Sequence, residues 1–199
     1  MTALGLGPVA VLVPVKPFTE AKARLAPALA PADRVRLAEE MATHVLRSAG
    51  GLPVAVVCDD TEVAAWARRS GALVVWEPER GLNRAVEAGV ARLGAEGARR
   101  VIVAHADLAR ARDLAWVADF AGVTLVPDKD DNGTNVVCVP TACGFTFSYG
   151  PGSFSRHVTE SRRLGVPLRV VREPLLAHDV DVPSDLSGWR TSVRQAVGA

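Results

Sequence analysis

Charge of one sign is missing from this 199-residue chain: 23 Lys and Arg stand against 22 Asp and Glu, a net charge of +1. No global field therefore favours nucleic acid or an anionic membrane, and the basic residues are interleaved with acids along the expected helix faces. Cysteine is scarce as well. Cys58, Cys138 and Cys143 make neither a disulfide framework nor a CxxC metal pair; Cys58 and Cys138 sit inside apolar runs, where a reduced, buried thiol is expected. No apolar run approaches the length of a membrane span, and residues 1–8 carry no basic leader region, so a cytoplasmic location is expected. Neither GxGxxG nor GxxxxGK[ST] occurs, which leaves a dinucleotide fingerprint and a P-loop without support. The histidines lack any close paired spacing, which weighs against a metal hydrolase built on His105, Asp107, His157 and His178.

What is present is alternation. Short apolar runs at 9–13, 54–58, 73–76, 101–104, 123–126, 136–139 and 168–171 read as strands. Between them, helices are expected over 31–49, 61–70, 82–93, 113–120, 153–164 and 184–197. Pro31 suits a first helical turn, Gly50-Gly51, Gly71 and Gly165 suit stops, and Ser153 is the expected N-cap of its helix. With no internal repeat and no low-complexity linker, the expectation is one α/β domain over 1–199: a mostly parallel sheet with helices on both faces.

In such folds ligands collect at the carboxyl ends of the strands. Lys16, Asp59-Asp60, Asp107, Asp128 and Asp179 all fall there. After strand one, Lys16, Lys22 and Arg24 are either a triphosphate-neutralising cluster or solvated loop charges. Asp107 is either a Mg²⁺ ligand or an N-cap, and Asn83 either reads a base or ribose edge or simply starts a helix. Asp179 and Asp181, two residues apart, face the same side if extended and repel unless a cation joins them. Gly133-Thr134-Asn135 and Gly150-Pro151-Gly152-Ser153 are either turns or anion cradles, the second running into a helix N-terminus. His157, one turn further on, either reaches the same anion or only packs. Hard oxygen ligands together with phosphate-type loops point to Mg²⁺-assisted nucleotidyl or phosphoryl transfer.

In order and spacing, Pro14-Val15-Lys16, Ala21-Lys22-Ala23-Arg24-Leu25, Gly81-Leu82-Asn83, Ala106-Asp107-Leu108, Gly133-Thr134-Asn135, Tyr149-Gly150-Pro151-Gly152-Ser153-Phe154 and Asp179-Val180-Asp181-Val182-Pro183-Ser184-Asp185-Leu186 resemble one family. It is the guanylyltransferase family that makes the phospholactate or phosphoenolpyruvate branch of the deazaflavin coenzyme F-420. The resemblance spans about residues 9–186 and implies a Rossmann-like nucleotidyltransferase fold. It further implies condensation of GTP with a small phosphorylated three-carbon acid (phosphoenolpyruvate, 2-phospholactate or 3-phosphoglycerate) and release of pyrophosphate, with Mg²⁺. By position, Asp107, Asp179 and Asp181 would hold metal, Thr134, Gly150 and Ser153 the acid, and Lys16, Lys22 and Arg24 the triphosphate. Other readings are a molybdenum-cofactor or sugar-phosphate nucleotidyltransferase and a catalytically silent binding protein. One departure is evident: the family usually has proline after Asp-Leu, whereas here Ala109-Arg110-Ala111-Arg112 follows, so a looser loop is expected around Asp107.

Overall fold

The computed structural model describes residues 6–79, 81–180 and 183–185. Seven strands, β1 (Val9–Pro14), β2 (Val54–Cys58), β3 (Leu73–Trp76), β4 (Arg100–Ala104), β5 (Val123–Pro127), β6 (Thr134–Pro140) and β7 (Leu168–Val170), form one sheet in the order β3-β2-β1-β4-β6-β5-β7. Pairing is parallel except along β6, which runs antiparallel to both β4 and β5. The expected mostly parallel sheet is therefore present.

Strand alternation sorts the core into two layers. Val11, Val13, Val56, Ile102 and Ala104 face α1 (Pro31–Arg47) and α2 (Thr61–Arg69). Ala10, Leu12, Ala55, Val101 and Val103 face α3 (Leu82–Ala95), and α4 (Ser153–Arg163) packs on the same side through Phe154 and Val158. Both faces are dry because a parallel sheet must bury both of them. No helix among the described residues is long and apolar enough to cross a membrane.

Two expectations change, and a third falls outside the described residues. The helix over 113–120 is reduced to a 3-10 turn, Ala115–Ala118. The Trp116 and Val117 carbonyls accept from the Arg169 guanidinium at 3.2 and 3.1 Å instead of continuing a helical ladder. The helix expected over 184–197 lies outside the described residues, apart from the 3-10 turn Pro183–Asp185. Gly152, not Ser153, occupies the N-cap of α4, at φ +75°, where glycine avoids the Cβ penalty of the left-handed region.

Ser153, as first residue of α4, enters a buried cluster. Its hydroxyl donates to Thr134 Oγ1 at 3.4 Å, and His157 Nδ1 lies 3.1 Å from the same oxygen. The Ser148 N–H donates to His157 Nε2 at 3.0 Å. An occupied Nε2 lone pair puts the imidazole proton on Nδ1, and the neutral ring is the form that fits. Burial, reinforced by the nearby Arg156 and His105 charges and opposed by Glu160, pushes the His157 pKa from its ordinary 6.5 down to about 4. The unfolded chain therefore binds the extra proton below 6.5. The resulting stability is complete above that pH, declines from about 6.5 to about 4, and is flat below. The loss should total about 3 kcal/mol over that window. Urea unfolding from pH 7 to pH 4 should show this slope in the wild type and a shallower one in His157→Gln; equal slopes would remove His157 as the cause.

Candidate active site

Strand order reverses between β1 and β4, since β1 continues to β2 and β3 on one side while β4 opens the other half. At this switch point a cleft of about 500 Å³ opens beyond the carboxyl ends of β1, β2 and β4. Its walls come from the loop 14–22 after β1, Cys58 and Asp59 after β2, Glu77 and Glu79 after β3, Gly81, Leu82 and Ala85 at α3, and His105, Ala106 and Asp107 after β4.

Lys22 and Asp107 meet inside it. The ammonium donates to Asp107 Oδ2 at 2.8 Å, with the Lys22 side chain 7% exposed and that of Asp107 24%. Burial pushes the Asp107 carboxyl up, but the Lys22 charge, aided by His105 and the Lys22 hydrogen bond, outweighs it, so the net displacement is downward. Asp107 is thus an anion at neutral pH. Lys22 adopts φ +56°, a left-handed conformation that costs a side-chain-bearing residue of order 1–3 kcal/mol, and the buried ion pair holds it there. The other carboxylate oxygen, Oδ1, is buried without a hydrogen-bond partner among the described residues.

The loop after Asp107 is not loose. Leu108, Ala109 and Ala111 are buried, the Ala111 N–H donates to Leu108 O at 3.0 Å, and the Ser48 hydroxyl donates to Ala111 O at 2.9 Å. Small side chains packed against α1 and a link to Ser48 replace proline's stiffness. Ala109 also packs with Leu25, Leu37, Met41 and Val180. Val180 thereby brings the segment of Asp179 against the loop of Asp107. Asp179 is half-buried, and Asp181 lies outside the described residues.

Of the other expected site residues, Lys16 is exposed and lines the cleft. Arg24 is exposed and does not line it. Asn83 is not among the lining residues; its side-chain oxygen accepts the Tyr149 N–H at 2.6 Å, tying the first turn of α3 to the 145–150 segment. Thr134 and Ser153 are brought together, each 2% exposed, behind the cleft rather than on its surface. Gly150 opens the turn before α4 at φ +110°. The open anion cradle expected at 150–153 is corrected: the N–H groups of Gly152, Ser153 and Phe154 are already bonded, to Asn132 Oδ1, Gly150 O and Asn132 O respectively. Gly133 is likewise committed. Its N–H donates to Asp128 Oδ2 at 2.7 Å, and a Cβ there would lie 2.6 Å from that oxygen. Asp128 also accepts from Asp130 and Asn132, so it organises the turn between β5 and β6. Asp60 caps α2 through the Val63 N–H.

His157 is sequestered in its cluster and His178 Nδ1 lies 3.0 Å from Pro174 O. Among the described residues no three His, Cys, Asp or Glu side chains group as a metal cluster, so the hydrolase arrangement is not formed. Two roles are not read from the sequence: that of Asn132, whose side-chain and main-chain oxygens accept the N–H groups at the start of α4, and that of the ring of Tyr149, the single tyrosine of the chain, which lies 5.0 Å from that of His105.

The described fold resembles a cytidylyltransferase from Leptospira borgpetersenii with a TM-score of 0.64 at 9% identity, over 94% of this chain and 87% of that one. It also resembles a 4-diphosphocytidyl-2C-methyl-D-erythritol synthase, with a TM-score of 0.60 at 15% identity over 93% and 97%. The sheet is thus of the Rossmann-like nucleotidyltransferase type. In sequence, the phosphoenolpyruvate guanylyltransferase of Sphaerobacter thermophilus is 36% identical over 184 residues, 88% of this chain and 89% of that protein. The enzyme of the same name from Rubrobacter xylanophilus is 37% identical over 190 residues, 91% and 93% of the two chains. The model of the family described as "guanylyl transferase CofC like" matches residues 9–189, a stretch that contains the whole cleft and both of its supporting loops. The chain belongs to that guanylyl transferase family.

Proposed function

We propose that this protein condenses GTP with phosphoenolpyruvate, or with the related 2-phospholactate or 3-phosphoglycerate, and releases pyrophosphate as a step in coenzyme F-420 synthesis. The observation that carries this reading is the Lys22–Asp107 pair buried in a cleft at the switch point of the sheet. Family membership and the names of the relatives support the choice of nucleotide and acid.

In this reading an anionic phosphate oxygen of the acid attacks the α-phosphorus of GTP. A new P–O bond forms as the α–β bridging bond breaks, and its electron pair leaves with pyrophosphate. The attacking oxygen is already ionised, so no general base and no covalent enzyme intermediate are required. Lys16 and Lys22, with Arg24 at the loop's outer edge, neutralise the triphosphate where charge builds up on the leaving group. Thr134, Gly150 and Ser153 stand behind the acid as the second half-site, and Asn83 fixes the backbone between the halves. Asp107 suits a hard cation, because Oδ1 is a buried anionic oxygen with no hydrogen-bond partner among the described residues while Oδ2 is held by Lys22. Asp179 and Asp181 would complete that site. Mg²⁺ bound there would supply charge screening for the triphosphate and pyrophosphate.

Purified protein with Mg²⁺, GTP and the three acids in turn should release pyrophosphate and give a guanosine diphosphate-linked acid by mass. No product with any acid, at high enzyme concentration, would sink the catalytic reading and favour a silent binding protein.

The ion pair allows a sharper test. Lys22→Met leaves Asp107 as a buried, unpaired charge and should cost about 3–5 kcal/mol of folding stability. Turnover should also fall by roughly 10²-fold or more as a cation facing the leaving group is lost. The double variant Lys22→Met/Asp107→Asn should recover most of the stability and none of the turnover. Recovery of both in parallel would make the pair a structural strut only.

Metal ligation separates in the same way. Asp179→Asn and Asp181→Asn should each lower turnover by roughly 10²-fold, since each removes a charged hard ligand worth about 3 kcal/mol in the transition state. The loss should deepen at limiting Mg²⁺. Near-normal turnover at limiting Mg²⁺ would remove these residues from the metal site.

A further inference from the structure

Beside Asp107, two more buried atoms have no hydrogen-bond partner among the described residues: Nε2 of His105, which lines the cleft, and Oη of Tyr149, whose ring packs against His105 from behind the lining. The Tyr149 residue is 9% exposed, and its ring is held from several directions. It stacks on Phe147 at 6.0 Å, meets His157 edge-on at 5.1 Å, and lies 5.0 Å from His105, while its main-chain N–H is anchored by Asn83. The hydroxyl is therefore fixed in place by packing alone.

A buried phenol ordinarily finds a partner, and leaving one unmade costs the full desolvation of the group. A phenylalanine would give the same three ring contacts without that penalty. Burial also pushes the Tyr149 ionisation upward, so the hydroxyl is a neutral donor. His105 lines the cleft, and Tyr149 lies between it and the Thr134–Ser153–His157 cluster. The two rings thus link the cleft that holds Lys22 and Asp107 to the buried Thr134–Ser153–His157 cluster.

We propose that Tyr149 Oη and His105 Nε2 form a two-donor seat for an anionic oxygen of the acceptor acid. This seat rests on the guanylyl-transfer reading and deepens it, by naming the contacts that draw the acid from its pocket toward the nucleotide. Asp107 in the same cleft repels that oxygen, so donors are needed to hold it there. The Tyr149 hydroxyl supplies one without adding charge. The bond to the anion offsets the cost the empty protein carries for its unmade hydrogen bonds.

Tyr149→Phe removes one oxygen and keeps the ring. Phosphoenolpyruvate titrated calorimetrically into protein with Mg²⁺ should bind the variant about 10- to 100-fold more weakly than the wild type, the loss of one hydrogen bond to a charged group. His105→Phe should behave alike. In turnover assays the KM for phosphoenolpyruvate should rise and that for GTP stay within about twofold. Without ligand, Tyr149→Phe should melt at the same temperature as the wild type or higher, because an unpartnered hydroxyl has been deleted.

Unchanged acid affinity in Tyr149→Phe, absence of acid binding to the wild type, or a lower melting temperature without ligand would each overturn the seat. Its failure is distinct from failure of the transfer reading. A wild type that makes product while Tyr149→Phe binds the acid normally loses only the seat. A wild type that makes no product, yet binds the acid through Tyr149, loses only the transfer.

Discussion

The cleft depends on one ion pair between loops that are 85 residues apart in sequence. The loop after β1 holds a left-handed lysine, and the loop after β4 holds a carboxylate whose ionisation burial opposes and the lysine favours. Each group's unfavourable state is sustained by the other. Leu25, three residues past Lys22, and Ala109, two past Asp107, then pack into one small apolar cluster with Val180. Charge fixes the approach of the loops, and apolar contact around it excludes the water that would weaken the charge interaction.

The proposed acid half-site is held by different means. Thr134, Ser153 and His157 are neutral, buried and mutually bonded. The turn before α4 is closed by Asn132 and by the Arg156 guanidinium, which donates to the carbonyls of Ser148 and Pro151. A charged, partly open half thus adjoins a neutral, closed one. That division suits a reaction in which one substrate carries a polyphosphate and the other must be positioned against it.

Much of this is legible from residue order. Continuous runs such as Val9-Ala10-Val11-Leu12-Val13 can only be buried strands in a chain whose helices alternate with them, and cleft residues at their carboxyl ends follow from that geometry. Of the strand-end residues, Lys16, Asp59 and Asp107 line the cleft together with Lys22, whereas Asp60 caps α2 and Asp128 organises the β5–β6 turn. What local pattern does not carry is competition for backbone groups. The segment 113–120 has helical spacing, but Arg169, far along the chain, takes the carbonyls a helix needs. Gly133 and Gly152 look like anion donors, but Asp128 and Asn132 take their N–H groups. Ala109-Arg110-Ala111-Arg112 looks loose without proline, yet burial of its alanines and the Ser48 hydroxyl hold it. Each of these departures is a hydrogen bond or contact that no periodicity reveals.

The reversed direction of β6 has a consequence for how the chain assembles. Every other strand pair in the described sheet joins segments separated by an α-helix or by another strand, as when Val9 pairs with Arg100. β5 and β6 instead meet across the short turn organised by Asp128, with Pro127 opposite Thr134. Its loop-closure entropy is the smallest in the sheet, and strand pairs of low sequence separation are the ones a chain can close early. The His105 N–H bonds to Asn135 O, and the Asn135 side chain to Leu176 O. The hairpin of lowest closure cost thus carries the backbone and side-chain groups that hold the segments of Asp107 and Asp179.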